Sequence, residues 1–185
     1  MTVEFHAREL PQQDLFCQLD KRNSANMNSL PSTYVEGFHD LEAVRTMEYK
    51  KLGKTGLMVS KLSFGSGPLG YHYGTYDEAD AIEAVRRAIK QGVNFIDTAP
   101  FYGQGRSEKT LGKALKGIPR HAYYIATKVG RYELDYENMF DFTVEKTRKS
   151  FEKSLKLLGV DYIDVIQVRD NARYQINQLR IKIQI

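Results

Sequence analysis

Four short apolar segments alternate with three amphipathic segments of helical spacing, from residue 61 to residue 168. Period-two apolar runs predict strands, and apolar residues three and four apart predict helices. The predicted strands and helices are 61–65, 76–91, 93–97, 107–115, 123–128, 143–158 and 161–168. Apolar strands that are joined by helices form parallel sheets with both faces covered, so the sequence predicts an α/β fold.

Two architectures fit this alternation, an open doubly wound sheet and a (β/α)8 barrel. Four strand–helix units are too few for a whole barrel, which needs about 250 residues. The chain has 185 residues, enough for one domain with a proper core and hardly enough for two.

The segments on either side of the repeat have different patterns. Residues 48–60 predict a hairpin with a glycine-bearing turn. Residues 1–46 are polar and aperiodic and predict an extension with little structure of its own, apart from a helical turn or two at 40–45. The domain is therefore predicted at 47–170. A tail at 171–185 follows, in which apolar and polar residues alternate as in a strand.

Composition excludes several classes of function. The net charge of +4 is spread along the chain, so no nucleic-acid tract is predicted. No apolar stretch approaches the ~18 residues of a membrane span, and the N-terminus lacks the pattern of a secretory signal. The single cysteine, Cys17, excludes an internal disulfide, and the four histidines show no ligand spacing. We expect a soluble cytoplasmic protein that binds neither a membrane nor a metal.

Two motifs match familiar patterns in the wrong structural context. Gly65–Gly70 matches G-x-G-x-x-G, but a dinucleotide fingerprint needs the helix to open inside the glycine run, and here helix signals begin only near residue 76. We therefore interpret the glycines as a loop at the end of a strand. Tyr124 and Lys128 match Y-x-x-x-K, but on a strand they lie about 13 Å apart and cannot share a proton.

A third constellation is chemically coherent. Asp97 ends one predicted strand and is followed by a loop that carries Tyr102, while Lys128 ends the next strand. In a parallel βα array the carboxyl ends of the strands share one face, so the three side chains can converge there. A nearby ammonium makes a tyrosine a stronger acid, and a carboxylate keeps the ammonium charged and aimed. The alternative is a loop tyrosine beside an ordinary ion pair.

These residues resemble the aldo-keto reductase superfamily over 48–168, closest to its L-galactose dehydrogenase-like and D-threo-aldose dehydrogenase-like branch. The resemblance rests on four stretches, Asp97–Gly103, Ala126–Lys128, Glu108–Gly112 and Leu158–Asp164. It implies a TIM barrel of which about the first four βα units, a half-barrel, are present. It also implies NADP(H) as cofactor and the interconversion of carbonyls, such as aldehydes or sugars, and alcohols.

The resemblance assigns roles to particular residues. Tyr102 is the general acid, Lys128 strengthens it as an acid, and Asp97 holds Lys128. Asp97 is also expected to line the cofactor pocket, together with Gly65, Ser66 and Gly67.

The sequence departs from the family in two places. The family has a histidine after its fourth strand, where this chain has Arg169 in Gln167-Val168-Arg169-Asp170. Arginine is larger and permanently charged, so it either polarises an oxyanion or only fills the slot. No match follows Asp170, and the strands expected fifth to eighth are missing.

A half-barrel leaves two open sheet edges, which proteins normally cover. Either the alternating residues 178–185 cover one edge, or two chains pair their edges in a homodimer. The alternative to an active enzyme is a truncated, catalytically inactive product or an interaction module.

Overall fold

The computed structural model describes residues 30–71 and 73–169. Its strands are β1 Tyr49–Lys51, β2 Met58–Ser60, β3 Phe64–Gly65, β4 Phe95–Asp97, β5 Tyr124–Val129 and β6 Val165–Val168. Its α-helices are α1 Leu41–Thr46, α2 Glu78–Lys90, α3 Arg106–Leu115 and α4 Val144–Leu158. The elements occur in the order that the sequence predicts. Three of the four sheet strands are shorter than predicted, and the strand predicted at 61–65 is paired only at its last two residues.

Strands β3, β4, β5 and β6 form one parallel sheet in this order, and β1 and β2 form a separate antiparallel hairpin. The register places Gly65 opposite Asp97, Asp97 opposite Ala126 and Lys128 opposite Gln167. Among the described residues, β3 and β6 each have one neighbour, so the sheet does not close into a barrel. The predicted parallel α/β fold and the half-barrel are therefore confirmed.

The helix boundaries follow from capping chemistry. Asp77 accepts hydrogen bonds from the backbone amides of Ala79 and Asp80 at the start of α2. Thr143 caps α4 in the same way, and Gly159 ends that helix in the left-handed conformation, with φ of 67°. Each cap satisfies amide or carbonyl groups that a helix end leaves without an intrahelical partner.

One hydrophobic core lies between the sheet and the helices. Ile96 and Ile125 reach it from the sheet, Val85 and Ile89 from α2, and Leu111 from α3, and all five are at most 1% exposed. Because side chains alternate across a strand, the residues next to Ile96 and Ile125 point to the other face of the sheet. That face carries Asp97 and Lys128.

Residues 30–46 are more ordered than the sequence led us to expect. The expected helical turns at 40–45 are α1, which Asp40 caps and which buries Val44. Upstream, the buried Thr33 accepts a hydrogen bond of 2.9 Å from the Asn94 amide. The polar composition that predicted an extension here instead supplies hydrogen-bond partners for the start of β4. Residues 1–29, and with them Cys17, lie outside the described part of the chain, as do residues 170–185 with the predicted tail strand.

Arg120 ties the amino ends of β5 and β6 together. Its guanidinium forms a 2.6 Å ion pair with Asp164 and donates to the carbonyl oxygens of Tyr123 and Tyr162. It also stacks 3.8 Å from the centroid of the Tyr162 ring. Asp164 in turn accepts the backbone amide of Ile125 at 2.8 Å. This contact fixes the register of the two strands that carry Lys128 and Gln167.

Arg120→Ala is expected to lower the free energy of unfolding by about 2 kcal/mol, less than for a fully buried pair because the Arg120 and Asp164 side chains are 22% and 11% exposed. Urea unfolding followed by circular dichroism measures the loss. Lys149→Ala is the control, since the Lys149–Glu145 pair is 70% and 77% exposed, and it should change stability by less than about 0.5 kcal/mol. Equal losses in the two variants would contradict this role for Arg120.

Candidate active site

An ion pair joins the carboxyl ends of β4 and β5. The Lys128 ammonium lies 2.6 Å from the Asp97 carboxylate, and the two side chains are 12% and 28% exposed. The ammonium also donates to the Thr98 carbonyl oxygen at 3.0 Å, while the Gln167 amide donates to the second carboxylate oxygen of Asp97 at 3.2 Å. Both groups of the pair therefore have further hydrogen bonds that hold them in place.

Tyr102 lies beside this ion pair. Tyr102 belongs to the loop that follows β4, and the centroid of its ring is 5.0 Å from the Lys128 nitrogen. The loop turns at once, because the Tyr102 amide donates to the Ala99 carbonyl oxygen at 3.1 Å. The structure thus brings together the three side chains that the sequence singled out, a phenol, an ammonium and a carboxylate.

Two glycines hold the Tyr102 loop against the loop that follows β3. A Cβ on Gly70 would lie 2.6 Å from the Gly103 nitrogen, and one on Gly103 would lie 2.6 Å from the Gly70 oxygen. Gly103 also has a φ of 61°, which side chains disfavour. Only glycine at both positions lets the two backbones touch, and this contact fixes the residue next to Tyr102.

Besides Asp97, three residues are predicted for the cofactor pocket, and they face different ways. Gly65 lies level with Asp97, and a Cβ there would meet no atom within 4 Å, so the space in front of it is open. A Cβ on Gly67 would meet only the ring of Tyr73, at 3.8 Å. The Ser66 side chain is fully buried and its hydroxyl donates to the Asp97 carbonyl oxygen, so only the Ser66 backbone can line a pocket.

Neither the G-x-G-x-x-G motif nor the Y-x-x-x-K motif has the structural context that its usual function needs. The glycine run forms a 3₁₀ turn at Gly67–Gly70, and α2 begins only at Glu78, so no helix opens inside it. Tyr124 is the first residue of β5 and Lys128 is the fifth, so the two side chains are separated along an extended strand. The Tyr124 hydroxyl contacts Ser32 at 3.3 Å, far from the ion pair.

Arg169 follows β6 on the active-site side of the sheet. Its backbone amide donates to the Val129 carbonyl oxygen at 2.8 Å, so the β5–β6 ladder continues to this position. A Cβ on Gly130 would lie 2.8 Å from the Arg169 carbonyl oxygen. The backbone at Arg169 is therefore fixed by its neighbour, and its side chain is half-buried.

Glu108 has no exposed surface and lies on the helix-covered side of the sheet, opposite to the candidate site. One of its oxygens accepts the Thr127 hydroxyl at 2.8 Å, and the other has no hydrogen-bond partner among the described residues. Burial raises the pKa of Glu108, and Ser154, Thr127 and the Lys153 ammonium offset this effect only in part.

The raised pKa predicts a pH-dependent stability. An acid that binds its proton more tightly in the fold favours the folded state at low pH, and this advantage is lost as pH rises above the ordinary value of 4.5. Glu108→Gln stays neutral at every pH and keeps an acceptor for Thr127. Its stability relative to the unmodified chain should therefore rise between pH 4 and pH 8 in urea unfolding. A difference that stays flat over this range would contradict the argument.

Three residues that contact the candidate site were not predicted from the sequence. Gln167 was noted only as a neighbour of Arg169, although its place on the same strand face as Val165 follows from the period of two. Ser107 and Glu108 had been assigned to a helix start. Helical periodicity marks apolar faces, so it gives no signal for a buried polar pair at the first turn of α3.

No group of three metal-ligating side chains occurs within 30–71 and 73–169. The Nδ1 of His39 accepts a hydrogen bond from the Val35 backbone amide at 2.9 Å, and burial lowers the pKa of His39.

The helices within 30–71 and 73–169 are all too short or too polar to cross a membrane.

Comparison with known proteins matches this chain to one family. The sequence model of the aldo/keto reductase family matches residues 61–175, a little past the predicted domain end at 170. L-galactose dehydrogenase of Arabidopsis thaliana is 47% identical over 126 residues, which cover 67% of this chain and 38% of that protein.

Solved structures agree with the sequence match. An aldo-keto reductase structure from Pseudomonas aeruginosa superposes with a TM-score of 0.60 at 38% identity, covering 74% of this chain and 49% of that chain. The holo form of an aldo-keto reductase from Bacillus halodurans gives 0.57 at 37% identity, covering 66% and 40%.

The chain spans less than half the length of these relatives. Its four-stranded parallel sheet corresponds to part of their TIM barrel, as the motifs predicted. The family match covers more than half of the sequence, and the structural match covers 74% of it. The chain belongs to the aldo/keto reductase family.

Proposed function

We propose that this chain is an NADP(H)-dependent oxidoreductase that interconverts a carbonyl and an alcohol. The observation that carries the proposal is the contact of the Lys128 ammonium with Asp97 at 2.6 Å and with the face of the Tyr102 ring at 5.0 Å. A phenol beside a fixed ammonium is suited to give a proton to a carbonyl oxygen. The match to L-galactose dehydrogenase favours a sugar or another small aldehyde as substrate.

In the reductive direction Tyr102 donates its phenolic proton to the carbonyl oxygen, and solvent returns a proton to the phenolate afterwards. A nicotinamide cofactor, when bound, would supply the hydride for the carbonyl carbon. Lys128 stabilises the phenolate that remains, because an opposite charge nearby favours the ionised form of an acid. Overall, carbonyl, NADPH and a proton give alcohol and NADP⁺.

Asp97 and Gln167 act on Lys128. The Asp97 carboxylate fixes the ammonium at one end of β5, and the Gln167 amide holds that carboxylate at 3.2 Å from β6. The ion pair is largely shielded from water, so its electrostatic effect on Tyr102 is stronger than at the surface. Three adjacent strands thus contribute one side chain each.

The carboxyl end of β3 fits a nicotinamide cofactor in one respect. Gly65 lies level with Asp97 and leaves open space where any other residue would place a side chain. Backbone groups of Gly65, Ser66 and Gly67 would line the cofactor there. The relative from Bacillus halodurans was solved in a holo form, which supports a cofactor in this family.

The open sheet edges favour a second candidate function, in which the single chain is an inactive fragment. Phe95, Tyr124 and Val165 lie on the sheet face that carries Asp97 and Lys128 and are only partly buried. Strands β3 and β6 each lack one partner strand among the described residues.

Two copies that pair these edges supply eight parallel strands, the number in a closed barrel. The proposed catalyst is therefore a homodimer.

One experiment separates the two candidates. The purified chain is run through size exclusion with light scattering, and each fraction is assayed for oxidation of NADPH with aldehydes and aldoses. We expect aldehyde-dependent oxidation in fractions with twice the 21.3 kDa mass of the chain. A folded monomer without turnover would favour the inactive fragment.

A further inference from the structure

The first turn of α3 contains two polar side chains that are fully buried. Ser107 and Glu108 are both 0% exposed, whereas Arg106 and Lys109 on either side of them are exposed. Burial of polar groups costs free energy unless hydrogen bonds replace the lost water. Both side chains point at the back of the sheet, opposite to the face that carries the candidate site.

Ser107 belongs to a chain of buried hydroxyl groups. Its oxygen lies 2.8 Å from both the carbonyl and the hydroxyl oxygen of Ser66, and 3.3 Å from the Thr98 hydroxyl. The Ser66 hydroxyl donates to the Asp97 carbonyl oxygen at 2.9 Å. Ser107 therefore donates to Ser66, which leaves Thr98 to donate to Ser107. Ser107 is thus bonded to Ser66, and the Ser66 hydroxyl is bonded to the backbone of Asp97.

Ser107 also contacts the loop that carries Tyr102. Its backbone amide donates to the Tyr102 carbonyl oxygen at 3.2 Å, and the Arg106 amide donates to the Gly103 oxygen at 3.1 Å. The start of α3 is thus bonded to Tyr102 itself and to the residue after it. Any shift of this turn moves the Tyr102 backbone.

Glu108 makes the equivalent contact with β5. It accepts the hydroxyl of Thr127, which precedes Lys128 on the same strand and is 0% exposed. Because successive side chains alternate across a strand, Thr127 faces α3 where Lys128 faces the site. The bond between Glu108 and Thr127 therefore acts on the backbone that carries the ammonium.

We propose that Ser107 and Glu108 are positioning residues, which hold Asp97, Tyr102 and Lys128 in register from behind the sheet. The catalytic purpose of this positioning rests on the proposed function. The positions of the three side chains can be probed without measuring turnover. Apolar side chains of similar size would fill the same space, so packing alone does not call for these groups. Directional hydrogen bonds instead fix the three backbones to the tolerance that a catalytic site needs.

The test measures the rate at which the Lys128 amine reacts with a small acylating reagent, resolved by peptide mass spectrometry. Thr127→Val keeps the shape and removes the donor, and Ser107→Ala removes the hydroxyl. Each should raise the Lys128 rate about 5-fold, because a looser ion pair exposes the amine. Thr127→Ser keeps a hydroxyl and should restore the original rate to within about 2-fold.

Other lysines in the same digest distinguish positioning from general loosening. Lys113, Lys146 and Lys149 each form a surface ion pair away from the site and should keep their rates. A rise at all lysines together would show that the variants only loosen the fold, and would overturn the proposal. An unchanged Lys128 rate in both Thr127→Val and Ser107→Ala would overturn it as well.

Thr110→Val is the matched control. Thr110 is on the same helix and 1% exposed, but its hydroxyl contacts Tyr76 and Glu78 near α2 instead of the sheet. Its Lys128 rate should equal that of the unmodified chain, and an increase as large as that of Thr127→Val would contradict the proposal. If the unmodified chain does not bind NADPH, the proposed function fails while the labelling result still decides the positioning role.

Discussion

Gly112→Ala is expected to lower the free energy of unfolding by about 3 kcal/mol, the upper end for an overpacked core. A Cβ at this position would lie inside contact distance of the Leu157 carbonyl oxygen and 3.2 Å from the Leu158 carbonyl carbon. These neighbours are backbone atoms at the crossing of α3 and α4, so they cannot rotate away. The glycine in Glu108–Gly112 is therefore required by helix packing.

The sign of this effect makes it decisive. In a helix with free space, glycine to alanine stabilises by about 1 kcal/mol, so a loss can only come from the crossing. Urea unfolding followed by circular dichroism gives the value. Gly65→Ala is the control, because a Cβ there meets nothing within 4 Å, and it should change stability by less than about 0.5 kcal/mol. A stable Gly112→Ala would show that α3 and α4 are packed differently.

Tyr102→Phe is expected to lower the rate of carbonyl reduction at least about 100-fold while leaving NADPH affinity unchanged. The substitution removes the one hydroxyl that the proposal uses as acid and keeps the ring against the Lys128 ammonium. The rate of NADPH oxidation with a reactive aldehyde measures the loss, and nucleotide fluorescence measures the affinity.

Tyr136→Phe is the matched control for the acid role, since Tyr136 is 76% exposed in the loop after β5. It should keep full turnover. Turnover that survives in Tyr102→Phe would remove Tyr102 as the acid, and equal losses in both variants would point to a general effect of losing a hydroxyl.

The order of strands and helices could be predicted from the sequence because the helical spacing and the apolar runs indicated the same elements. Helical spacing at 76–91 and 143–158 gave the limits of α2 and α4 to within two residues, and the apolar runs gave the strands. Three of the four sheet strands were predicted too long, because pairing depends on a neighbouring strand, which a single segment does not reveal. Residues 30–46 were misjudged for the same reason, since Thr33 is ordered by Asn94, far away in the sequence.

The site was predictable where strand ends determined it. Asp97 and Lys128 both end strands of a parallel sheet, so their convergence followed from topology. The direction of Ser66 did not follow, because its buried hydroxyl depends on Ser107, 41 residues away. Gln167 required the register of β6, which the sequence alone leaves open.

Titration of the purified chain with NADPH, followed by nucleotide fluorescence, tests the central claim most directly. The account predicts saturable binding at micromolar concentration, with affinity kept in Tyr102→Phe and weakened in Gly65→Ala, whose new side chain fills the open space level with Asp97. A folded chain with no saturable binding would contradict the account and would leave the Asp97–Lys128 pair as a structural contact.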